Sequence, residues 1–264
     1  MSKLKIGIIG CGAMGTFLAV KIARELKTSA QVKFLCDKHA QRALRLKSLL
    51  GPEVKILPLA KLLRSSDIII ESASAEIAGV VAREALRLGK KILVMSVGGL
   101  LSIKNLEKLR RSSKGALIIP SGAIAGMDAL AGAREGRIQS AKLVTRKPPH
   151  TLYDAPYFKG RWFPALKGNT PRKIFSGNAL QAIRAFPQNI NVAAVLSLAG
   201  IGPRKTRVEI WTSKSTRKNT HEISVEGNFG KLTTVTENVP SPNNPKTSYL
   251  AMLSAFAALR KILK

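Results

Sequence analysis

A chain of 264 residues with 45% hydrophobic residues holds enough apolar material for one large or two modest domains, and its composition excludes an intrinsically disordered protein. No uninterrupted apolar run is long enough to cross a bilayer, and the two cysteines, Cys11 and Cys36, exclude a disulfide scaffold and offer no metal-ligand spacing. The formal net charge of +29 is spread along the chain rather than gathered in a tail or patch, so it reads as a solvated basic surface that attracts anions and not as a specific nucleic-acid site.

Lys3 and Lys5 precede a mostly apolar stretch, Ile6 to Val20, which imitates a secretory leader. Three glycines at nucleotide-binding spacing explain the stretch better, so a retained N-terminus and a cytoplasmic protein are expected. Leu4–Ile9 reads as a strand and Ala13–Leu26 as a helix. Val32–Cys36 is a second strand, followed by a basic helix over Ala40–Leu50. Further strands are expected at Val54–Leu57, Asp67–Glu71, Lys91–Met95 and Ala116–Ile119, with helices at Ala75–Leu88 and Ile103–Arg111. This alternation predicts a parallel, doubly wound α/β sheet: an N-terminal Rossmann dinucleotide-binding domain over residues 1–123.

Beyond residue 123 the pattern changes to that of an α+β substrate and dimerisation domain, residues 124–243, with a mostly antiparallel sheet. A helix is expected over Ile124–Ala133, and strands at Ala141–Arg146, Arg207–Thr212, His221–Val225 and Lys231–Glu237. Lys147–Pro171, rich in Pro, Gly and aromatics, reads as an irregular connection or lid. Helices follow near Asn178–Ala185 and Val192–Ala199. A final helix over 244–264 is expected to be capped by Asn244 with Pro245 in its first turn. Its stripe of Tyr249, Met252, Phe256, Leu259 and Leu263 is expected to pack back on the first domain.

Gly10, Gly12 and Gly15 form G-x-G-x-x-G directly after a strand and into a helix. The first glycine permits the tight turn, the second lets a pyrophosphate approach the backbone, and the third lets helix and strand pack closely. The first helical turn, with Ala13 and Met14, then offers N–H groups and a partial positive charge to phosphates. Asp37 ends the second strand at the distance where a carboxylate accepts hydrogen bonds from a ribose 2′-hydroxyl. That favours NAD, while Lys38 and Arg42 leave NADP open. Cys11, inside the loop, reads as a small buried filler rather than a reactive thiol. Ser72-Ala73-Ser74, Ser96-Val97-Gly98-Gly99 and Ser121-Gly122-Ala123 follow later strands and read either as nicotinamide-lining segments or as ordinary tight turns.

Of the three histidines, His39 and His150 read as surface residues, whereas His221 begins a strand in Asn219-Thr220-His221-Glu222. That stretch, together with Pro120-Ser121-Gly122-Ala123-Ile124-Ala125-Gly126, Phe186-Pro187-Gln188-Asn189-Ile190-Asn191-Val192-Ala193 and Glu237-Asn238-Val239-Pro240-Ser241-Pro242-Asn243-Asn244-Pro245-Lys246-Thr247-Ser248, resembles the L-aspartate dehydrogenase family over essentially the full length. The resemblance implies that His221 is the active-site histidine and that Ala123 and Asn189 contact the nicotinamide cofactor, NAD or NADP. It further implies a homodimer that oxidises L-aspartate to iminoaspartate, which hydrolyses to oxaloacetate and ammonia or feeds NAD biosynthesis.

A histidine with an ordinary pKa near ~6.5 takes and returns protons at neutral pH, as loss of the substrate's amine protons requires. Glu222, adjacent in a strand, points to the opposite face and is not its obvious partner. Two substrate carboxylates need donors, for which Asn191, Lys246 and Thr247 are candidates, the last two at the expected helix N-terminus. Helix capping and solvation explain the same three residues equally well. A reductase of the dihydrodipicolinate reductase or homoserine dehydrogenase type is an alternative, although no two histidines here are adjacent. A basic nucleic-acid-associated protein that retains a dinucleotide fold is another, supported by charge alone.

Overall fold

The computed structural model describes residues 3–187, 191–242 and 244–263, the stretch 244–246 as backbone alone. It forms two compact units, Met1–Pro120 with Met252–Lys264, and Ser121–Ala251.

The first unit is built on six parallel strands: β1 (Leu4–Ile9), β2 (Ala30–Cys36), β3 (Lys55–Ile56), β4 (Ile68–Glu71), β5 (Lys91–Val94) and β6 (Ala116–Ile118). Their order is β3-β2-β1-β4-β5-β6. Central strands read as continuous apolar runs, because both faces are covered: all four residues of β4 are buried. The crossovers carry α1 (Ala13–Glu25), α2 (Ala40–Leu50), α3 (Leu59–Ser65), α4 (Ala75–Arg87) and α5 (Leu106–Ser112). The short helix α3 was not anticipated. It is seven residues long, about two turns, and buries only Leu62 and Leu63, too little periodicity to announce itself. Between β1, which pairs with β2 on one side, and β4 on the other, the winding direction reverses. Ligands of such sheets bind outside the carboxyl ends of the strands at that point, which puts the turns after β1 and β4 side by side.

The second unit has a five-stranded sheet of β7 (Ile138–Arg146), β8 (Arg172–Asn178), β9 (Arg207–Thr212), β10 (Asn219–Gly227) and β11 (Gly230–Asn238), in the order β11-β10-β7-β9-β8. Every pair but β7 with β9 is antiparallel. The helices α6 (Met127–Glu135), α7 (Ala179–Ala185) and α8 (Asn191–Ala199) accompany it. Side chains alternate with period two. Asn219, His221, Ile223 and Val225 of β10 are buried, while Thr220, Glu222 and Ser224 between them are partly exposed. The connection expected to be irregular contains two 3-10 turns, Pro149–Thr151 and Pro156–Phe158. Its Tyr157 and Phe158 pack edge-on or tilted against Phe186, with centroids 5.2 and 6.1 Å away.

The last helix does not begin at Asn244. Residues Asn244–Ser248 form β13, which pairs back on β12 (Pro240–Ser241), and α9 spans Tyr249–Ile262. Proline suits a short edge strand as well as a first helical turn, and the pairing to residues 240–241 decides between them. Ala255, Phe256 and Leu259 of α9 join Ile8, Leu18, Ile22 and Leu35 in the core of the first unit.

Candidate active site

In the first unit the three glycines are fixed by contact and conformation. Gly10 has φ +90°, and a Cβ there would meet the backbone of Ser72 and Ala73 at 2.6 Å. A Cβ on Gly15 would strike the Gly10 carbonyl, whereas Gly12 has nothing within 4 Å of where its Cβ would stand. The turn is therefore closed toward the protein at Gly10 and Gly15 and open at Gly12. Gly12 is also the N-cap of α1, which has neither a side-chain cap nor an acidic residue in its first turn, the turn of Ala13 and Met14. An open approach to an uncapped helix N-terminus fits a pyrophosphate.

Asp37 has a role that its spacing alone does not reveal. Its carboxylate accepts from the backbone N–H of Cys11 at 2.7 Å and from that of His39 at 2.8 Å. It thereby ties the glycine turn to the end of β2, and each oxygen keeps a lone pair for a ribose hydroxyl. Cys11 is buried, and burial first, with the nearby Asp37 charge second, pushes its thiol up to about 12. It is a filler, as expected, and no nucleophile at neutral pH. Glu71 was missed. Fully buried at the end of β4, it accepts from the Ala73 N–H at 2.8 Å, the Ser96 N–H at 3.0 Å and the Ser96 hydroxyl at 2.9 Å. Burial raises its pKa against those hydrogen bonds. One carboxylate thus holds together two turns expected to line a nicotinamide, and Ser72 Oγ donates to the Gly10 carbonyl at 2.8 Å.

In the second unit, the inward face of the sheet carries a patch of buried polar side chains. His221 of β10 lies opposite Thr145 of β7 and Thr236 of β11. Its Nδ1 is 2.7 Å from Thr145 Oγ1, and among the described residues no group hydrogen-bonds Nε2. Burial, and after it the charge of Lys147, lowers the His221 pKa to about 3. The expectation of an ordinary histidine titrating near neutrality is corrected: the imidazole of the free protein is neutral. Glu222 is on the other face, 3.2 Å from Arg146. His39 and His150 are exposed.

One step along the strands is a second row, Lys147, Asn219 and Asn238. Lys147 is 3% exposed, and its Nζ donates to Asn219 Oδ1 at 3.3 Å. Burial lowers its pKa to about 8. Asn238 Nδ2 donates to the Ala123 carbonyl at 3.1 Å, and Thr236 Oγ1 donates to the same oxygen at 2.7 Å. Ala123, expected at the cofactor, therefore has a carbonyl already holding two hydrogen bonds. Among the described residues Asn238 Oδ1 is buried with no partner.

The remaining candidates scatter. Asn191 is the first residue of α8 and half-buried. Thr247 and Lys246 lie in β13 and not at a helix N-terminus, so the N–H groups and dipole of a helix end do not serve an anion at these two residues. Asn189 is outside the described residues. Thr145, Lys147, Asn219 and Asn238 were all missed as site residues. Only Asn219 carried a local signal, its spacing of two from His221 in a strand. Among the described residues no cluster of His, Cys, Asp and Glu suited to a metal is present, and no helix is long and apolar enough to cross a membrane.

A parallel sheet with this glycine turn, in one chain with a sheet that buries a neutral histidine, defines a pyridine-nucleotide-dependent oxidoreductase. Residues 10–118 match the family described as homoserine dehydrogenase, NAD binding domain, and residues 128–262 match aspartate dehydrogenase, C-terminal. The chain is 43% identical to the L-aspartate dehydrogenase of Methanosarcina acetivorans, over 98% of this chain and 97% of that one. It is 37% identical to that of Nitrosopumilus maritimus, over 97% and 96%. The crystal structure of aspartate dehydrogenase from Thermotoga maritima superposes with a TM-score of 0.73 at 22% identity, covering 99% of this chain and 96% of that one, and so shares its fold. The chain belongs to the L-aspartate dehydrogenase family.

Proposed function

We propose that the protein oxidises L-aspartate to iminoaspartate with NAD or NADP, and that the imine then takes up water to give oxaloacetate and ammonia. Family membership supports the substrate, and the buried, neutral His221 anchored by Thr145 is the observation that carries the mechanism. When bound, the nicotinamide ring accepts the hydride that leaves the substrate α-carbon. We assign cofactor binding to residues 1–120, through Gly10, Gly12, Ala13, Met14, Gly15 and Asp37. Ala123 and Asn189 join them on the strength of the family resemblance, Ala123 through its N–H or methyl because its carbonyl is occupied. Substrate binding belongs to residues 121–251, with Asn191, Lys246 and Thr247 as carboxylate donors.

With Nδ1–H donated to Thr145, the Nε2 lone pair of His221 takes a proton from the substrate ammonium, leaving the amine whose nitrogen lone pair assists departure of the hydride. Once that proton has passed to solvent, the same nitrogen accepts a proton from the water that attacks the imine carbon, and returns it to the departing ammonia. Burial keeps the resting imidazole neutral, so no prior deprotonation is needed, and the same burial makes it a weak base that gains strength as opposite charge arrives beside it.

We further propose a homodimer formed through the outward face of the second sheet, where Val235 is more than half exposed beside the exposed Thr233 and Glu237. A cytoplasmic location fits two cysteines that remain free. Side-by-side assays of L-aspartate, homoserine and dihydrodipicolinate with both cofactors test the assignment. Turnover of aspartate alone is the expected result, and turnover of either other substrate in its place would overturn it.

A further inference from the structure

Pro148 disfavours helical backbone at the residue before it, so Lys147 continues the alternation of β7 past the strand's end and turns inward like Leu143 and Thr145. Its backbone is held on both sides: the N–H donates to the Trp211 carbonyl at 3.0 Å, and the carbonyl accepts from Thr212 Oγ1 at 2.7 Å. The side chain is then buried with three N–H donors and, among the described residues, a single neutral acceptor, Asn219 Oδ1. Among the described residues it has no ion pair. A buried ammonium without a counter-ion is destabilising, and a methionine of similar length would serve the packing better. The same row ends in Asn238, whose buried Oδ1 lacks a donor among the described residues. Cation and orphan acceptor together describe a place for a ligand that carries an anionic group and an N–H, with His221 in the adjoining row.

We infer that Lys147 receives a carboxylate of the substrate and supplies the positive charge that selects a dicarboxylic amino acid. The inference rests on the reading that this unit binds L-aspartate. Asn219 acts through Lys147 as a positioning residue, its amide donating in turn to Ser248 Oγ at 3.4 Å. A carboxylate seated on Lys147 also offsets the charge that depresses His221, so substrate binding itself makes the imidazole a stronger base.

The experiment compares the wild type with Lys147→Met and Lys147→Arg in aspartate kinetics, and in calorimetric binding of succinate, a dicarboxylate without an amine. A charged hydrogen bond of this kind corresponds to roughly ten- to a hundredfold in affinity. Lys147→Met is therefore expected to raise KM for aspartate and Kd for succinate by that factor, with partial rescue in Lys147→Arg and unchanged affinity for reduced cofactor. KM and succinate affinity both within about twofold of wild type would overturn the inference, while leaving the aspartate reading intact. If the wild type does not turn over aspartate, that reading falls, and the succinate titration decides the inference alone. If neither variant folds, succinate binding to the wild type decides it. Affinity that weakens as pH rises past about 8, where Lys147 loses its proton, supports the inference. Affinity that is flat to roughly pH 10 contradicts it. His221, the charge-coupled neighbour, titrates near 3 and does not enter that window.

Discussion

Thr145 Oγ1 and His221 Nδ1 lie 2.7 Å apart on facing strands, both side chains buried. A hydroxyl in that position fixes the ring's orientation, and in the tautomer whose Nδ1–H it accepts, Nε2 is the basic nitrogen. Thr145→Val keeps the shape and removes the hydroxyl. It is expected to lower kcat roughly tenfold or more with little change in KM for aspartate. Steady-state kinetics check this, and a kcat equal to wild type would show that Thr145 does not orient the base.

His221 also links stability to pH. Its pKa is about 3 in the folded chain against 6.5 ordinarily, so between those values the unfolded chain binds more protons. Stability therefore rises with pH through this window and is progressively lost as pH falls from about 6.5 toward 3. Thermal melts at pH 7 and at about pH 4.5 are expected to separate further for the wild type than for His221→Gln. Equal separations would mean that the imidazole is not held neutral.

Lys147 works in the opposite direction from most buried side chains. Its folded pKa of about 8 lies below the ordinary 10.5, so its burial costs stability in full below pH 8, and the cost is relieved as pH rises from 8 to 10.5. That difference corresponds to about 3 kcal/mol at neutral pH. Lys147→Met is accordingly expected to melt several degrees higher than wild type at pH 7, while losing affinity for aspartate. A lower melting temperature would assign the ammonium a structural role.

The glycine turn separates folding from binding. Gly10→Ala places a Cβ against the Ser72–Ala73 backbone at φ +90° and is expected to destabilise by roughly 1–3 kcal/mol. Gly12 has φ −76° and open space, so Gly12→Val should fold normally yet weaken binding of reduced cofactor at least about tenfold. Melting curves and fluorescence titration of NADH distinguish the two.

The parallel sheet was legible because its strands are short apolar runs punctuated by helical periodicity, and α2 and β9 fall on their expected bounds. The glycine turn and His221 were legible because their signals are local. What escaped depends on partners distant in sequence. Asp37 reads as a ribose ligand from spacing, but its grip on the Cys11 N–H exists only once β2 lies beside β1. Glu71 reads as a strand end until Ser96 closes on it. Lys147 opens a Lys-Pro-Pro stretch that looks like a solvated loop, and only the pairing of β7 with β9 and β10 buries it. Residues 244–248 offered a plausible helix start, and a short hairpin to residues 240–241 prevailed.

In the proposed reaction the α-carbon of L-aspartate loses a hydride to the bound nicotinamide. The most direct test is incubation of the wild-type protein with NAD or NADP and L-aspartate deuterated at the α-carbon, followed by mass analysis of the reduced cofactor. One deuterium per reduced ring is expected, with the yield falling at least about a hundredfold in His221→Gln. Reduced cofactor without deuterium, or none with either nucleotide while a different amino or hydroxy acid reacts, would contradict it.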